Sequence, residues 1–196
     1  LQEALEIASS IPGNKMLRTV AYLMKSEPLV SPAANKHKAF YNACRSGNSE
    51  LVQLFLWDDR VDPSLNDGFA LLLAVDSGSF ETVFALLEDD RVDPSVRNNQ
   101  SFITAVEKGN LDIVEMLAKD IRVDTSTRNS QALLKAVESN DMHILVYLLE
   151  ETAVSPSSSL IHASLDKLPI ILEILLYDGR AEPSIHDMLE CVTKEK

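Results

Sequence analysis

One segment of this chain recurs at a constant distance, and that recurrence limits the folds the chain can adopt. The valine of "RVDPS" and of its degenerate equivalents recurs every 31 residues, at Val30, Val61, Val92, Val123 and Val154. A second series has the same spacing and consists of Ala43, Ala74, Ala105 and Ala136. Two independent series with one period indicate an internal repeat, in which each copy is one supersecondary unit.

Each copy predicts two short helices. The first apolar segment, such as "FALLLAVDSG", ends in a residue suited to a left-handed helix end: Gly47, Gly78, Gly109 or Asn140. The second segment has apolar residues three and four apart, which places them on one helical face, for example Ile113, Val114 and Leu117. The proline of "DDRVDPS" then prevents the second helix from continuing. At one position before the next helix, an Asx side chain is predicted to cap it: Asp67, Asn98 or Asn129.

Neither helix of such a unit can bury its apolar face alone, so the copies have to stack on one another. The chain divides into six units, 1–37, 38–68, 69–100, 101–131, 132–159 and 160–196, which together form one domain of about twelve helices. The first and last units diverge from the others, as expected of terminal units that cover an apolar stack. The predicted fold class is therefore all-α, a solenoid of about six helix-turn-helix repeats joined by short loops.

The stretches "AVEKGNLDIVEML" from Ala105 and "AVDSGSFETVFALL" from Ala74 carry a family resemblance. With the 31-residue period, they resemble the ankyrin repeat, and the resemblance covers nearly the whole chain. It implies an ankyrin-type α-solenoid with hairpin-like finger loops that serves as a protein-binding scaffold without catalysis. The usual T-P-L-H of that family is missing and is replaced by "FALL", "QSFI" and "QALL". The "D-x-R-V-D-P-S" ending is similar to the divergent arrays of protists and giant viruses.

The composition narrows the possible chemistry and partners. A net charge of −12 disfavours binding to nucleic acids and to anionic membranes. The histidines and the two cysteines lack metal-ligand or redox spacing, and Cys44 stands where other units have valine, which indicates a core position. The acid pairs Asp58–Asp59 and Asp89–Asp90 recur with the repeat and are interpreted as solvated helix ends. We therefore expect no enzyme activity, no metal and no cofactor.

In a stack of similar units, binding specificity lies where equivalent positions differ. The position before the repeated alanine holds Asn42, Leu73, Thr104 and Lys135, and the position two residues after it holds Arg45, Asp76, Glu107 and Glu138. By analogy with the ankyrin family, these residues are expected to line a concave face. Leu73 is the most informative of them, because an apolar side chain there would be exposed. Unconstrained surface is the alternative interpretation.

Two further features are candidates for partner binding. Trp57 stands where other units have polar residues such as Glu88 and Lys119, which predicts a partly exposed indole suited to an interface. A cover over the enlarged first unit is the alternative for Trp57. Arg97 and Arg128 occupy one loop position in adjacent units and are expected to form a short basic row. Solvated loop tips are the alternative for this pair.

These features predict a monomeric protein-interaction module, cytoplasmic or nuclear, that grips a folded partner protein through its concave face and loops. A narrower version is a parasite effector, secreted and delivered into a host cell to act on host signalling or transcription proteins. The start of the sequence at Leu1 rather than Met motivates this version. The alternative is a structural spacer or oligomerisation array within a larger protein, for which a pull-down would yield no partner.

Overall fold

The computed structural model describes residues 1–27, 29–125 and 129–152, and all regular secondary structure within these ranges is helical. Its helices follow one another as five pairs: α1 (Gln2–Ser9) with α2 (Leu17–Ser26), α3 (Ala34–Arg45) with α4 (Ser49–Leu56), α5 (Leu65–Ser77) with α6 (Phe80–Leu87), α7 (Val96–Glu107) with α8 (Leu111–Lys119), and α9 (Asn129–Ser139) with α10 (Met142–Glu151). A 3-10 turn, Asn14–Met16, precedes α2. The all-α prediction is confirmed for this part of the chain. The predicted sixth unit and the end of the fifth lie outside the described residues.

The helices form two layers. The first helices of the pairs stack in sequence order, α1 on α3, α3 on α5, α5 on α7 and α7 on α9. The second helices stack in the same way, α2 on α4, α4 on α6, α6 on α8 and α8 on α10. We refer to the first set as the inner helices and to the second set as the outer helices. Contacts therefore run mainly between neighbouring units, as in repeat proteins.

The core lies between these layers and along each stack. The repeated alanines of the inner helices are fully buried, and their small side chains allow neighbouring helices to approach closely. The apolar residues predicted to face the core from the outer helices are buried as well, including Leu117 and Leu148. Cys44 is buried in α3, and this burial raises the pKa of its thiol. The core position predicted for Cys44 is confirmed.

The turns within the pairs have the predicted left-handed backbone. Gly47, Gly78, Gly109 and Asn140 have φ angles of 66°, 73°, 74° and 57°. The residue after the turn caps the outer helix in three of these units, where the side chains of Asn48, Ser79 and Asp141 accept hydrogen bonds from backbone N–H groups. These bonds satisfy donors that the first helical turn leaves open, so the outer helix begins there.

The loops before α5 and α7 each end in a left-handed turn that falls within the bounds given for these helices, so the right-handed part of each helix begins after the turn. Asn66, Asp67 and Gly68 have φ angles of 56°, 51° and 71°, and Arg97–Asn99 have the same conformation one unit later. Asn, Asp and Gly tolerate this backbone, which costs other residues roughly 1–2 kcal/mol each. The prediction that Asp67 and Asn98 cap the following helix is wrong, because both lie within the bounds of α5 and α7 and neither helix has a side-chain cap hydrogen bond. No strand pairing occurs in these loops within the described ranges.

Candidate functional site

The repeated "D-x-R" turn contains a carboxylate–guanidinium pair. Asp89 accepts hydrogen bonds from Nε of Arg91 at 2.9 Å and from Nη2 at 2.6 Å, and also from the backbone N–H of Arg91 at 3.0 Å. Two other units repeat this geometry with the pairs Asp58–Arg60 and Asp120–Arg122.

These pairs correct one interpretation of the sequence. The side chains of Asp58 and Asp89 are only 13% and 16% exposed and are bound to arginine, so they are not solvated helix ends. Asp59 and Asp90, the second acids of the pairs, are exposed. The two acids of each pair therefore have different surroundings, because the first faces the turn and the second faces solvent.

The same arginines join adjacent units. Nη1 of Arg91 donates to the carbonyl of Val61 at 2.9 Å, and Nη2 donates to the carbonyl of Leu56 at 3.0 Å. Arg122 makes the equivalent bonds to Val92 and Leu87, at 2.9 and 3.3 Å. In each case one acceptor lies 30 residues before the arginine. We call this arrangement the arginine connector, and it accounts for the recurrence of the acidic turn.

The connectors also affect the titration of the acids. Hydrogen bonds from Arg60, Arg91 and Arg122 are the main reason that the pKa values of Asp58, Asp89 and Asp120 lie below their ordinary range. A carboxyl group whose pKa is lower in the folded state stabilises the fold at pH values above its unfolded pKa. That stabilisation is lost as the pH falls through the folded pKa.

We expect the urea midpoint of the wild-type protein to fall as the pH drops below about 4, the ordinary pKa of aspartate. Asp89→Asn removes one contributing carboxyl group. The urea midpoint of this variant is therefore expected to be lower than that of the wild type at pH 7 and to fall less as the pH decreases. Asp90→Asn is the matched control, because Asp90 is exposed and lies outside the connector. Urea unfolding between pH 7 and pH 3 measures the effect. Parallel curves for the two variants would contradict the role of Asp89.

The structure brings several of the predicted partner-binding residues together at the ends of the inner helices. Asp76 pairs with Lys108 at 2.6 Å across α5 and α7, and Lys135 pairs with Glu107 at 3.3 Å across α7 and α9. Lys135 also pairs with Glu138 at 3.2 Å. These ion pairs form a ladder over three successive units. We call the residues at this edge the recognition row; they are Arg45, Asp76, Glu107, Lys108, Lys135 and Glu138.

Two predicted residues have different surroundings. Leu73 is only 8% exposed, so the prediction of an exposed apolar side chain is wrong. It belongs to α5, which has α3 on one side and α7 on the other, and close stacking on both sides covers it. Thr104, the equivalent residue of the next unit, is half-buried, and its hydroxyl lies 3.3 Å from Nε2 of Gln100.

Arg97 contacts the preceding unit. Its Nη2 donates to the carbonyl of Asn66 at 2.7 Å and lies 4.0 Å from the carboxylate of Asp67. The guanidinium therefore bridges two successive loops while remaining partly exposed. Arg128 lies outside the described residues, and the basic row that would include it stays a prediction.

The outer helices carry exposed aromatic side chains. Trp57 is 86% exposed, which confirms the prediction of an exposed indole. Phe84 is 49% exposed and stacks on Phe80 with the ring centroids 6.5 Å apart. Sequence reasoning missed Phe84, although it stands where adjacent units have Gln53 and Glu115. The comparison of equivalent positions that singled out Trp57 would have found Phe84 as well.

No protein-family model matches this chain, and no curated protein matches it. Among the residues that the structure describes, no cluster of three or more histidine, cysteine or acidic side chains could hold a metal ion. None of the helices described is both long and apolar enough to cross a membrane.

Proposed function

We propose that this chain is an ankyrin-type repeat array that binds a folded partner protein, without catalysis, through the recognition row and the adjoining loops. One observation carries the proposal: the buried positions are the same in successive units, whereas exposed positions at one edge of the helices vary. The buried alanines and the left-handed turns recur in successive described units. The recognition row, by contrast, changes between units: Arg45 stands where the next units have acidic residues, and Lys108 stands where other units have serine. Side chains that vary at an exposed edge of a constant frame suit the recognition of a particular partner.

The charges of the recognition row favour partner binding over a role in folding. All of its ion pairs have at least one partner whose side chain is about half exposed. Exposed ion pairs contribute little to stability, typically about 0–1 kcal/mol each. The same pairs arrange alternating charges in a fixed order, which steers association and discriminates between partners. A folded protein with the opposite charge order is the partner that this edge fits.

Arg97 extends the surface from the helix ends to the loops. Its contacts with Asn66 and Asp67 restrict the side chain, so binding a partner would order it at a lower entropic cost. An arginine has five N–H donors in a planar fork, and its contacts here are made through Nη2. The remaining donors suit a carboxylate of the partner.

A structural spacer is the second candidate function. The arginine connectors favour it, because Arg60, Arg91 and Arg122 each tie their unit to the preceding one and would transmit force between them. A spacer does not require particular side chains in the recognition row. Substitution of the row therefore separates the two candidates. Action on host signalling or transcription proteins after secretion stays a prediction within the first candidate.

Affinity capture with mass spectrometry tests the proposal. The row variant is Asp76→Lys, Glu107→Lys and Glu138→Lys in one chain. The control changes the net charge equally at exposed acids elsewhere, with Glu3→Lys, Glu50→Lys and Glu150→Lys. We expect the wild type and the control to capture the same partner and the row variant to lose it, with circular dichroism unchanged. Equal capture by the row variant would overturn the proposal, and no capture by any of the three favours the spacer.

A further inference from the structure

A groove between the outer helices α4 and α6 combines exposed aromatic rings with carboxylates. Its volume is about 620 Å³, and its lining residues are Gln53, Leu56, Trp57, Phe84, Ala85, Glu88, Asp89 and Asp90. We call it the aromatic groove. It lies on the outer helices, whereas the recognition row lies at the ends of the inner helices, so it is a separate surface.

The charge of the aromatic groove is uniformly negative. Three of its lining residues are acidic and none is a lysine or arginine. The carboxylate of Asp89 already forms an ion pair with Arg91 in the connector. Glu88 and Asp90 form no ion pair within 4.0 Å among the residues that the structure describes. Arg122 of the next unit interacts electrostatically with Asp90, whereas Glu88 has no such cation beside it in the described part of the chain. The lining therefore holds more negative than positive charge, which favours a positively charged occupant.

The aromatic rings supply the apolar part of the surface. Trp57 and Phe84 line the groove together, and Phe84 also lines an adjoining groove between α6 and α8. That second groove has a volume of about 570 Å³ and includes Phe80 and Met116. The exposed apolar surface therefore continues across three outer helices. Contiguous exposed apolar surface of this kind is typical of interaction sites.

We propose that the aromatic groove binds a positively charged amphipathic segment of a partner protein. A lysine or arginine of the segment stacks on the face of Trp57, where the ring attracts a cation, and pairs with Glu88 or Asp90. An apolar side chain of the same segment packs on Phe84. An amphipathic helix can present both groups on one face, with apolar side chains three or four residues apart. This proposal does not depend on the recognition row.

A displayed library of random 16-residue peptides without tryptophan identifies the ligand class. The library is selected on the wild-type chain and depleted on the double variant Trp57→Glu, Phe84→Gln. Each new residue is found at the equivalent position of an adjacent unit, Glu88 or Gln53, so both substitutions suit the fold. We expect the enriched peptides to be net positive, with apolar residues three or four apart. Enrichment of neutral or acidic peptides, or no enrichment, would overturn the proposal.

The fluorescence of the protein then locates the bound peptide. Trp57 is the only tryptophan of the chain, and its exposed indole lines the aromatic groove and a neighbouring groove beside α2. Its emission therefore reports binding on this face, and the variant Phe84→Gln distinguishes the two grooves. We expect the most enriched peptide to shift this emission to shorter wavelength and to protect the indole from acrylamide quenching. A peptide that binds without changing the emission sits elsewhere and contradicts the proposal. An emission shift on raising the protein concentration alone would identify a second copy as the occupant and would also overturn it.

Two single variants test the aromatic and the acidic contributions separately. Phe84→Gln and Glu88→Lys are each expected to weaken binding of the labelled peptide roughly tenfold in fluorescence anisotropy, as buried contact residues of an interface do. Glu88→Lys introduces the residue that the next unit has at this position, Lys119. Glu50→Lys is the control with the same change of charge at an exposed site outside the groove, and less than about a twofold change is expected. Equal weakening by Glu50→Lys and Glu88→Lys would show that binding depends on net charge alone and would refute the site.

Discussion

Leu117→Ala and Leu148→Ala are each expected to lower the free energy of unfolding by about 2–5 kcal/mol. Both side chains are fully buried, and they lie on α8 and α10, which stack as adjacent outer helices. Truncation removes apolar contacts and leaves a cavity, because α8 is held between α6 and α10, and α10 packs on α8 and α9, so neither helix can close the gap. Urea unfolding followed by circular dichroism measures the loss.

Ile121→Ala is the control for these variants. Ile121 is also aliphatic but is fully exposed in the loop after α8. Its truncation is expected to change the free energy of unfolding by no more than about 0.5 kcal/mol. If Leu117→Ala unfolds at the same urea concentration as the wild type, the assignment of this face of α8 to the core is wrong.

Arg91→Lys is expected to lower the free energy of unfolding by about 1–3 kcal/mol, although it keeps the charge. The guanidinium holds Asp89 with two nitrogens and reaches the carbonyls of Val61 and Leu56 in the preceding unit. A single ammonium group cannot make these four bonds together. The Arg91 side chain is 42% exposed, and screening by water places the expected loss in the lower half of this range.

The matched control is Arg45→Lys, because Arg45 is exposed at the end of α3 and belongs to no connector. Its urea midpoint is expected to equal that of the wild type. If Arg91→Lys also unfolds at the wild-type midpoint, the hydrogen bonds of the connectors do not contribute measurably to the stability of the stack. Measurement of Arg60→Lys and Arg122→Lys extends the test to the neighbouring units.

The helix pairs and their stacking could be predicted from the sequence, because the residues that determine them act locally. A small Ala74 in a helix and a Gly78 after it each have one main structural reason, and their 31-residue spacing places them in successive units. The period therefore predicted both the helix pairs and their stacking. Burial of Leu117 followed from its spacing to other apolar residues on the same helix.

The surroundings of other residues depend on contacts that the sequence does not display. Leu73 is covered because helices stack on both sides of α5, a property of the assembled layer. The partner of Asp58 is only two residues away, yet the turn that brings Arg60 back to it is visible only in the structure. Asp67 suits both a helix cap and a left-handed turn, and residue type alone does not choose between them. These are the positions where prediction and structure differ.

The arginine connector bears on how such a chain can evolve. Its acceptors in the preceding unit are backbone carbonyls, which every residue type provides, so the bond does not depend on the sequence of that unit. A gene segment encoding 31 residues can therefore be duplicated or lost, and each remaining arginine still finds a carbonyl 30 residues before it. The connector therefore leaves the number of units free to change.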